Sequence, residues 1–269
     1  MKVAFTKMSG AGNDFILMDN RRGVLHFSKS QIATLCHRHF GVGADGLLLV
    51  EAPLNGEADF RMRYYNADGG EAEMCGNGAR CFARYASQLA NQDSAISFET
   101  PAGLIRASFE GDLVTINMTQ PQEIELNKTI TLESGSYGVH HCNTGVPHAI
   151  LFVGEIEAAK VEELGREIRF HMDYQPKGTN VNFVQKLGEN MIRVRTYERG
   201  VEGETLACGT GMVASAIVSH LVRKVTLPMQ VKVQGGDILE VNFKQKGNTF
   251  EEVTLKGPAT FVFQGEVEV

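Results

Sequence analysis

Met74-Cys75-Gly76-Asn77-Gly78, in the first half of this chain, is matched by Ala207-Cys208-Gly209-Thr210-Gly211 in the second half. Both stretches share the pattern Cys-Gly-X-Gly, whose glycines permit unusual backbone angles and leave the neighbouring N–H groups uncovered. Each is followed by an apolar, alanine-rich run, which predicts a largely buried helix. The pattern therefore predicts two cysteines at the starts of two equivalent helices.

The segments around these two loops match as well. Residues 60–66 and 192–198 alternate apolar and polar side chains, which predicts a half-buried strand before each loop. Two further pairs of segments correspond, namely 43–50 with 178–184 and 12–16 with 145–150. We therefore predict an α+β fold of two pseudo-symmetric domains, each a mostly antiparallel sheet wrapped around a central helix. The active site is expected in the cleft between the domains.

The expected domains are residues 1–120, which carry Cys75, and residues 121–269, which carry Cys208, with the final strand free to return to the first half. A more polar helix is predicted over 28–39, with Ser28 as its N-cap, and another over 157–168. Further strands are predicted near 95–99, 104–109, 113–117, 231–234, 238–243 and 252–255.

Composition excludes several functional classes. The chain has 269 residues and a formal charge of −6, whereas a nucleic-acid-binding surface needs clustered Lys and Arg. No apolar run is long enough to span a bilayer, and the N-terminal residues do not resemble a signal peptide. Five cysteines without an export signal indicate reduced thiols in the cytoplasm.

A cysteine at a helix start suits acid–base chemistry. The helix dipole and the uncovered N–H groups form an anion site, and the same dipole favours the thiolate form of a cysteine. Two such loops could hold one carboxylate and place a sulfur on each face of the adjacent carbon. A thiolate and a thiol could then remove and return the α-proton without a metal or another cofactor.

Other interpretations of the cysteines fail on spacing. Cys75 and Arg80 lie too close together for a phosphatase loop, and the sequence lacks a P-loop. Phe15 stands where a dinucleotide-binding fingerprint needs its third glycine. Neither Cys36-His37-Arg38-His39 nor His140-His141-Cys142 has the spacing of a zinc site, so no metal is expected. A Cys-His hydrolase using His148 would leave the second loop unexplained.

Several polar residues lie at predicted turns or strand ends beside the loops. Such positions commonly contact ligands, and they commonly make only turn hydrogen bonds, so both interpretations stay open. The candidates are Asn13, Asn66, His148, Asn180, Glu198 and Arg199.

The chain resembles the diaminopimelate epimerase family over essentially its whole length. The resemblance is carried by Met8-Ser9-Gly10-Ala11-Gly12-Asn13-Asp14-Phe15, Gly41-Val42-Gly43-Ala44-Asp45-Gly46, Tyr65-Asn66-Ala67-Asp68-Gly69, Cys75-Gly76-Asn77-Gly78-Ala79-Arg80-Cys81, Glu198-Arg199-Gly200 and Cys208-Gly209-Thr210-Gly211. It implies cofactor-independent interconversion of LL- and meso-2,6-diaminopimelate, on the route to lysine and the peptidoglycan cross-link. It also implies a homodimer.

The resemblance also implies roles for individual residues. Cys75 and Cys208 correspond to the two acid–base thiols, and His148 with Glu198 to the pair that supports proton transfer. The remaining matches are to substrate-binding positions, namely Asn13, Asn66, Gly76, Asn77, Asn180, Glu198, Arg199, Gly209 and Thr210.

Two departures from the family concern substrate specificity. Val146 and Gly46 stand where many members have Asn and Gln. Two alternatives therefore stay open, a racemase of another amino acid on the same fold and a non-catalytic amino-acid-binding protein. Proline racemases carry His in the first loop, where this chain has Asn77. No role beyond packing is predicted for Cys36, Cys81 and Cys142.

Overall fold

The computed structural model describes residues 1–269, which form two compact units. The first unit consists of Met1–Asn117 and Lys256–Val269, and the second of Met118–Leu255. No helix in either unit has the length and apolar character needed to cross a membrane.

The first unit is a sheet around one long helix. Its strands are β1 (Lys2–Gly10), β2 (Asn13–Asp19), β3 (Gly46–Glu51), β4 (Phe60–Asn66), β5 (Glu71–Ala72), β6 (Ala95–Thr100), β7 (Gly103–Glu110), β8 (Leu113–Asn117) and β18 (Thr260–Glu268). They pair in the order β18-β1-β2-β3-β4-β6-β7-β8, with β5 added to β4. Only β2–β3 and β4–β6 are parallel.

Two helices accompany this sheet. The short helix α1 (Lys29–Cys36) begins in a capping box made by Ser28 and Gln31. The long helix α2 (Gly76–Ala90) contacts β1, β2 and β8 and is buried over most of its first three turns. Burial on this scale explains why its sequence is apolar on several sides, as the pattern predicted.

The second unit repeats the plan of the first. Its strands are β9 (Gln122–Leu132), β10 (Gly135–Asn143), β11 (Pro147–Phe152), β12 (Asn180–Lys186), β13 (Met191–Glu198), β14 (Gly203–Thr205), β15 (Met229–Lys232), β16 (Ile238–Lys246) and β17 (Thr249–Pro258), whose end from Lys256 is counted with the first unit. The helices are α3 (Val161–Arg169) and α4 (Gly209–Arg223), with a short 3-10 helix at Met172–Tyr174.

The pairing order shows the duplication directly. In the second unit it runs β9-β10-β11-β12-β13-β15-β16, with β14 added to β13, and β11–β12 and β13–β15 are the parallel pairs. The two parallel pairs and the added strand therefore fall at equivalent places in both units. This confirms the predicted α+β fold, in which a mostly antiparallel sheet accompanies a central helix in each half.

Local predictions are confirmed with shifted ends. The helix predicted over 28–39 begins after its Ser28 cap but ends at Cys36, and the one predicted over 157–168 occupies Val161–Arg169. The six further strands predicted correspond to β6, β7, β8, β15, β16 and β17. His37, the residue after α1, has an extended conformation with φ −70° and ψ 122°, so the helix does not continue to residue 39.

Candidate active site

Each of the two loop cysteines is the N-cap residue of a 15-residue helix. Cys75 precedes α2 with φ −139° and ψ 120°, and Cys208 precedes α4 with φ −121° and ψ 107°. Their carbonyl oxygens accept the first helical hydrogen bonds, from Ala79 N at 2.7 Å and Met212 N at 2.9 Å. Each thiol is therefore held at the positive end of a helix, as the sequence predicted.

The first turns of these helices are built to attract an anion. The first N–H groups of an α-helix have no acceptor within the helix. Neither first turn contains an acidic residue that would compete with an anion for these N–H groups. The N–H groups concerned belong to the Gly-Asn-Gly and Gly-Thr-Gly segments after each cysteine. A carboxylate is a suitable ligand for either turn.

Asn13 and Asn77 meet in the first unit. Asn77 is 1% exposed, and its Nδ2 donates to Asn13 Oδ1 at 2.7 Å. Its Oδ1 accepts from Arg80 Nη2 at 2.9 Å, and Arg80, which is fully buried, also donates to the carbonyl oxygens of Gly76 and Pro258. Arg80 thus fixes the amide of Asn77 through a charged donor.

Asn13 is held from its other side by an ionic network. Its Nδ2 donates to Asp45 Oδ2 at 2.8 Å, and Arg38 bridges Asp45 and Asp14. Asp14 is also 2.7 Å from Lys7, which is only 7% exposed. Burial would raise the pKa of Asp14, but hydrogen bonds from Arg38 and Lys7 outweigh it and bring that pKa down to about 2.

Asn66 differs from the other candidates in the first unit. It is exposed at the end of β4, and its backbone forms a turn in which Gly69 N donates to Asn66 O. Gly69 has φ +83°, and a Cβ there would lie 2.3 Å from Lys29 O, so the turn requires glycine. This turn directs the chain back toward Cys75. The side chain of Asn66 makes no hydrogen bond to Asn13 or Asn77.

His148 and Cys208 are connected in the second unit through Thr210. His148 is fully buried, and its Nε2 lies 3.0 Å from Thr210 Oγ1. That hydroxyl lies 3.5 Å from Cys208 Sγ. Burial, with smaller effects from His141 and Arg199, lowers the pKa of His148 to about 3, so its ring is neutral at pH 7.

Two more polar side chains support His148 and Thr210. The Nδ2 of Asn182 lies 3.1 Å from His148 Nδ1 and 3.2 Å from Ala149 O. Thr144 Oγ1 donates to Thr210 O at 2.9 Å and so ties the cysteine loop to the end of β10.

Asn180, Glu198 and Arg199 occupy neighbouring strand ends in the second unit. Asn180 Oδ1 accepts from Arg199 N at 2.8 Å, which orients the start of the turn after β13. The side chain of Arg199 donates to Lys177 O at 3.2 Å. Glu198 is half-buried and accepts a hydrogen bond from Thr205 Oγ1 at 2.8 Å. A carboxylate and a guanidinium therefore lie next to each other in the chain, at the end of the strand that leads to the second loop.

The remaining three cysteines have surroundings that suppress reactivity. Cys36, Cys81 and Cys142 are at most 3% exposed. Burial raises the pKa of Cys36 to about 11 and the pKa values of Cys81 and Cys142 to about 12. A thiol in such a setting stays protonated at neutral pH.

The structure adds supporting residues that the sequence analysis did not select. They are Lys7, Arg38, Asp45 and Arg80 in the first unit and Thr144, Asn182 and Thr196 in the second. The only sequence signal for Asn182 is a polar residue inside the apolar run of β12, on the same strand face as Asn180.

Solved structures with the same fold come from several enzyme groups. A phenazine biosynthesis protein of the PhzF family from Bacillus anthracis matches with a TM-score of 0.75 over 100% of both chains, at 15% identity. A hydroxyproline epimerase from Agrobacterium vitis matches with a TM-score of 0.74 over 99% of this chain and 92% of that one, at 17% identity. At this identity the likeness defines the fold class alone.

Sequence similarity identifies the family. The diaminopimelate epimerase family model matches residues 5–124 and 141–262. The diaminopimelate epimerase of Aquifex aeolicus is 44% identical over 98% of both chains, and that of Chlorobaculum tepidum is 40% identical over 97% of this chain and 99% of its own. The chain belongs to the diaminopimelate epimerase family.

Proposed function

We propose that this protein interconverts LL- and meso-2,6-diaminopimelate by two-base proton transfer at the α-carbon, with Cys75 and Cys208 as the acid–base thiols. The observation that carries the proposal is the occurrence of a cysteine N-cap on both repeated helices, in a chain of this family. One thiolate removes the α-proton, and the other thiol delivers a proton to the opposite face.

The carboxylate of the reacting centre would bind at the helix N-termini. In the proposal the N–H groups of Gly76, Asn77, Gly209 and Thr210 hold it, and their dipoles stabilise the negative charge that develops when the α-proton leaves. This chemistry uses groups of the protein alone, so the proposal includes independence from metals and other cofactors.

The polar side chains around the thiols would bind and orient the substrate. Asn13, Asn66 and Asn180 would hydrogen-bond its amino and carboxylate groups, and Arg199 would pair with a carboxylate. The carboxylate of Glu198 would face the reacting amino group. His148, which is neutral and buried, would support proton transfer from its place beside Thr210.

The proposed surroundings follow from this chemistry. Acid–base thiols need reducing conditions, so we place the protein in the cytoplasm, where it would supply lysine and peptidoglycan precursors. A homodimer is also part of the proposal. The strand β18 exposes Phe261, Val262 and Phe263 by 36%, 55% and 49%, an apolar surface of a kind that protein interfaces cover. Sedimentation equilibrium tests the oligomeric state.

A racemase of another amino acid is the second candidate, and Gly46 favours it. A Cβ at this position would lie 2.5 Å from Tyr65 O and 2.6 Å from the Tyr64 ring, so the chain admits no side chain there. The amide that the family resemblance implies at this position therefore has no room beside Tyr64, and we infer that the polar groups offered to the distal end of a substrate differ accordingly.

Proton NMR in deuterated water separates the two candidates. Purified, reduced protein with LL-diaminopimelate should lose the α-hydrogen signal while the meso isomer appears. Exchange with proline, histidine, glutamate or lysine but not with LL-diaminopimelate would contradict the proposed substrate. The Ser215→Ala variant controls for the effect of a substitution in α4 on exchange, because Ser215 lies on α4 and its hydroxyl makes no hydrogen bond.

A further inference from the structure

The orientation of the Asn182 amide is determined by its neighbours. Asn182 is fully buried, and Thr196 Oγ1 donates to its Oδ1 at 2.9 Å. Its Nδ2 faces Ala149 O at 3.2 Å, and a carbonyl oxygen can only accept. The opposite orientation would place two acceptor oxygens side by side in a buried site, so the amide nitrogen must face Ala149.

This orientation decides which nitrogen of His148 carries the proton. The same Nδ2 of Asn182 lies 3.1 Å from His148 Nδ1, and an amide NH2 group only donates. Since the buried ring is neutral, Nδ1 accepts and the single ring proton resides on Nε2. His141 and Arg199 are the titratable and charged groups acting on the ring, and both oppose its protonation.

The Nε2 proton in turn directs the hydroxyl of Thr210. His148 Nε2–H donates to Thr210 Oγ1 at 3.0 Å, so that oxygen acts as the acceptor of this contact. The hydroxyl proton is then available for Cys208 Sγ, 3.5 Å away. A hydrogen bond donated to sulfur favours the thiolate over the thiol.

The packing of Asn182 against the cysteine loop supports this arrangement independently. A Cβ on Gly211 would lie 2.4 Å from Asn182 Oδ1 and 3.3 Å from His148 Cε1. The first turn of α4 therefore rests directly on the Asn182–His148 pair. Four donors point the same way, from Thr196 through Asn182, His148 and Thr210 to the sulfur, and hydrogen bonds aligned in this manner strengthen one another.

We propose that Asn182 is a positioning residue for the thiol of Cys208, acting by fixing the tautomer of His148 and thereby the hydroxyl of Thr210. In this arrangement His148 is held as a donor toward Thr210, and the sulfur itself carries the proton exchanged with substrate. The inference deepens the proposed function. It rests on that function only for the role of the Cys208 thiolate in proton transfer, because the hydrogen-bond chain is a property of the substrate-free protein.

The test is the pH dependence of Cys208 alkylation by iodoacetamide, followed by peptide mass spectrometry without substrate. Thr210→Val should lower the rate about tenfold below the thiol pKa, since one hydrogen bond to a charged group is lost. Thr210→Ser should restore it. Asn182→Leu should slow alkylation in the same direction, and the Asn182→Leu/Thr210→Val double variant should be no slower than Thr210→Val.

Two features distinguish this effect from general damage to the fold. Rates of all variants should converge at high pH, where Cys208 is thiolate in every protein, whereas restricted access would slow alkylation at every pH. Ser215→Ala, which removes a buried hydroxyl from a different position of α4, should behave as the parent protein. Nitrogen-15 NMR of the parent protein should show His148 protonated on Nε2 and unprotonated on Nδ1.

The inference is overturned if His148 carries its proton on Nδ1, or if Asn182→Leu leaves Cys208 reactivity unchanged while Thr210→Val lowers it. It is also overturned if the two single effects add fully in the double variant. Failure of the proposed function would be separate, since the alkylation results stand whether or not the protein turns over diaminopimelate.

Discussion

Alanine substitutions at two equivalent glycines, Gly78 and Gly211, should have different effects on stability, with only the second destabilising the fold. Both occupy the last position of a Cys-Gly-X-Gly segment, in the first turn of a long helix. In an open helical position, replacing Gly by Ala gains roughly 0.5–1 kcal/mol, because alanine loses less backbone entropy. The surroundings of the added methyl group therefore decide the outcome.

At Gly78 the methyl group has room. Its nearest neighbours would be ring carbons of Phe15 at 3.4 Å and Cys75 Cβ at 3.6 Å, which are ordinary van der Waals distances. Gly78→Ala should therefore be neutral or more stable by up to about 1 kcal/mol.

At Gly211 the methyl group collides with a buried, hydrogen-bonded amide. The distance to Asn182 Oδ1 would be 2.4 Å, and Asn182 cannot retreat without breaking its hydrogen bonds to Thr196, His148 and Ala149. Overpacking of this kind costs about 1–3 kcal/mol, and losing even one buried hydrogen bond adds roughly 1 kcal/mol. After the helical gain is subtracted, Gly211→Ala should be destabilised by about 1–3 kcal/mol.

Urea denaturation followed by circular dichroism measures both variants against the parent protein. The expected result is a lower midpoint for Gly211→Ala and an equal or higher one for Gly78→Ala, with unchanged slopes. Equal midpoints for the two variants would refute the packing described for Asn182 beneath α4.

Three other predictions concern the thiols and the ionic network. Cys75→Ser and Cys208→Ser should each lower epimerisation by about three orders of magnitude or more while circular dichroism stays unchanged, and near-normal turnover in either would remove that residue from the mechanism. In the native protein at pH 8, iodoacetamide should leave Cys36, Cys81 and Cys142 unmodified, because burial keeps them protonated; peptide mass spectrometry finding rapid labelling of any of them would contradict this. The pKa of Asp14 is lowered from 3.8 to about 2, so its ionised form stabilises the fold above pH 4, and on the order of 2 kcal/mol should be lost between about pH 4 and pH 2. The Asp14→Asn variant should be less stable than the parent protein at pH 7 and should lose less further stability between about pH 4 and pH 2. If urea denaturation shows the same loss of stability over this range in both proteins, the assigned pKa of Asp14 is contradicted.

The duplicated fold could be predicted because its signals are local and occur twice. The alternation of β4 and β13 and the apolar runs of α2 and α4 directly reflect which faces are buried. The cysteine N-caps could be predicted for the same reason, since glycine-rich loops before helices are a local pattern.

Two parts of the fold lacked such a signal. The strand β9 is exposed along most of its length, so its sequence shows little alternation, and it is stabilised by pairing with β10. The strand β18 carries exposed residues on both faces and pairs with β1, from the opposite end of the chain. Pairing between distant segments of the chain leaves no periodic pattern in the sequence from which it could be predicted.

The supporting residues of the site were missed for a related reason. In the sequence Asn182 is one polar residue in a buried strand, and its contacts with His148 and Ala149 are evident only from the structure. Likewise, nothing in the sequence distinguishes Arg80 from other helix residues, yet its side chain is fully buried and holds the amide of Asn77 by a hydrogen bond. Tertiary contacts of this kind join residues whose separation in sequence carries no information about them.

The most direct test of the central claim is the fate of the α-hydrogen during the first few per cent of reaction in deuterated water. If two thiols act on opposite faces, newly formed meso-diaminopimelate should carry deuterium at the inverted carbon from the start, while recovered LL-diaminopimelate keeps its hydrogen. Product that retains the substrate's own hydrogen at that carbon would show that one base serves both faces. That result would contradict the paired roles of Cys75 and Cys208.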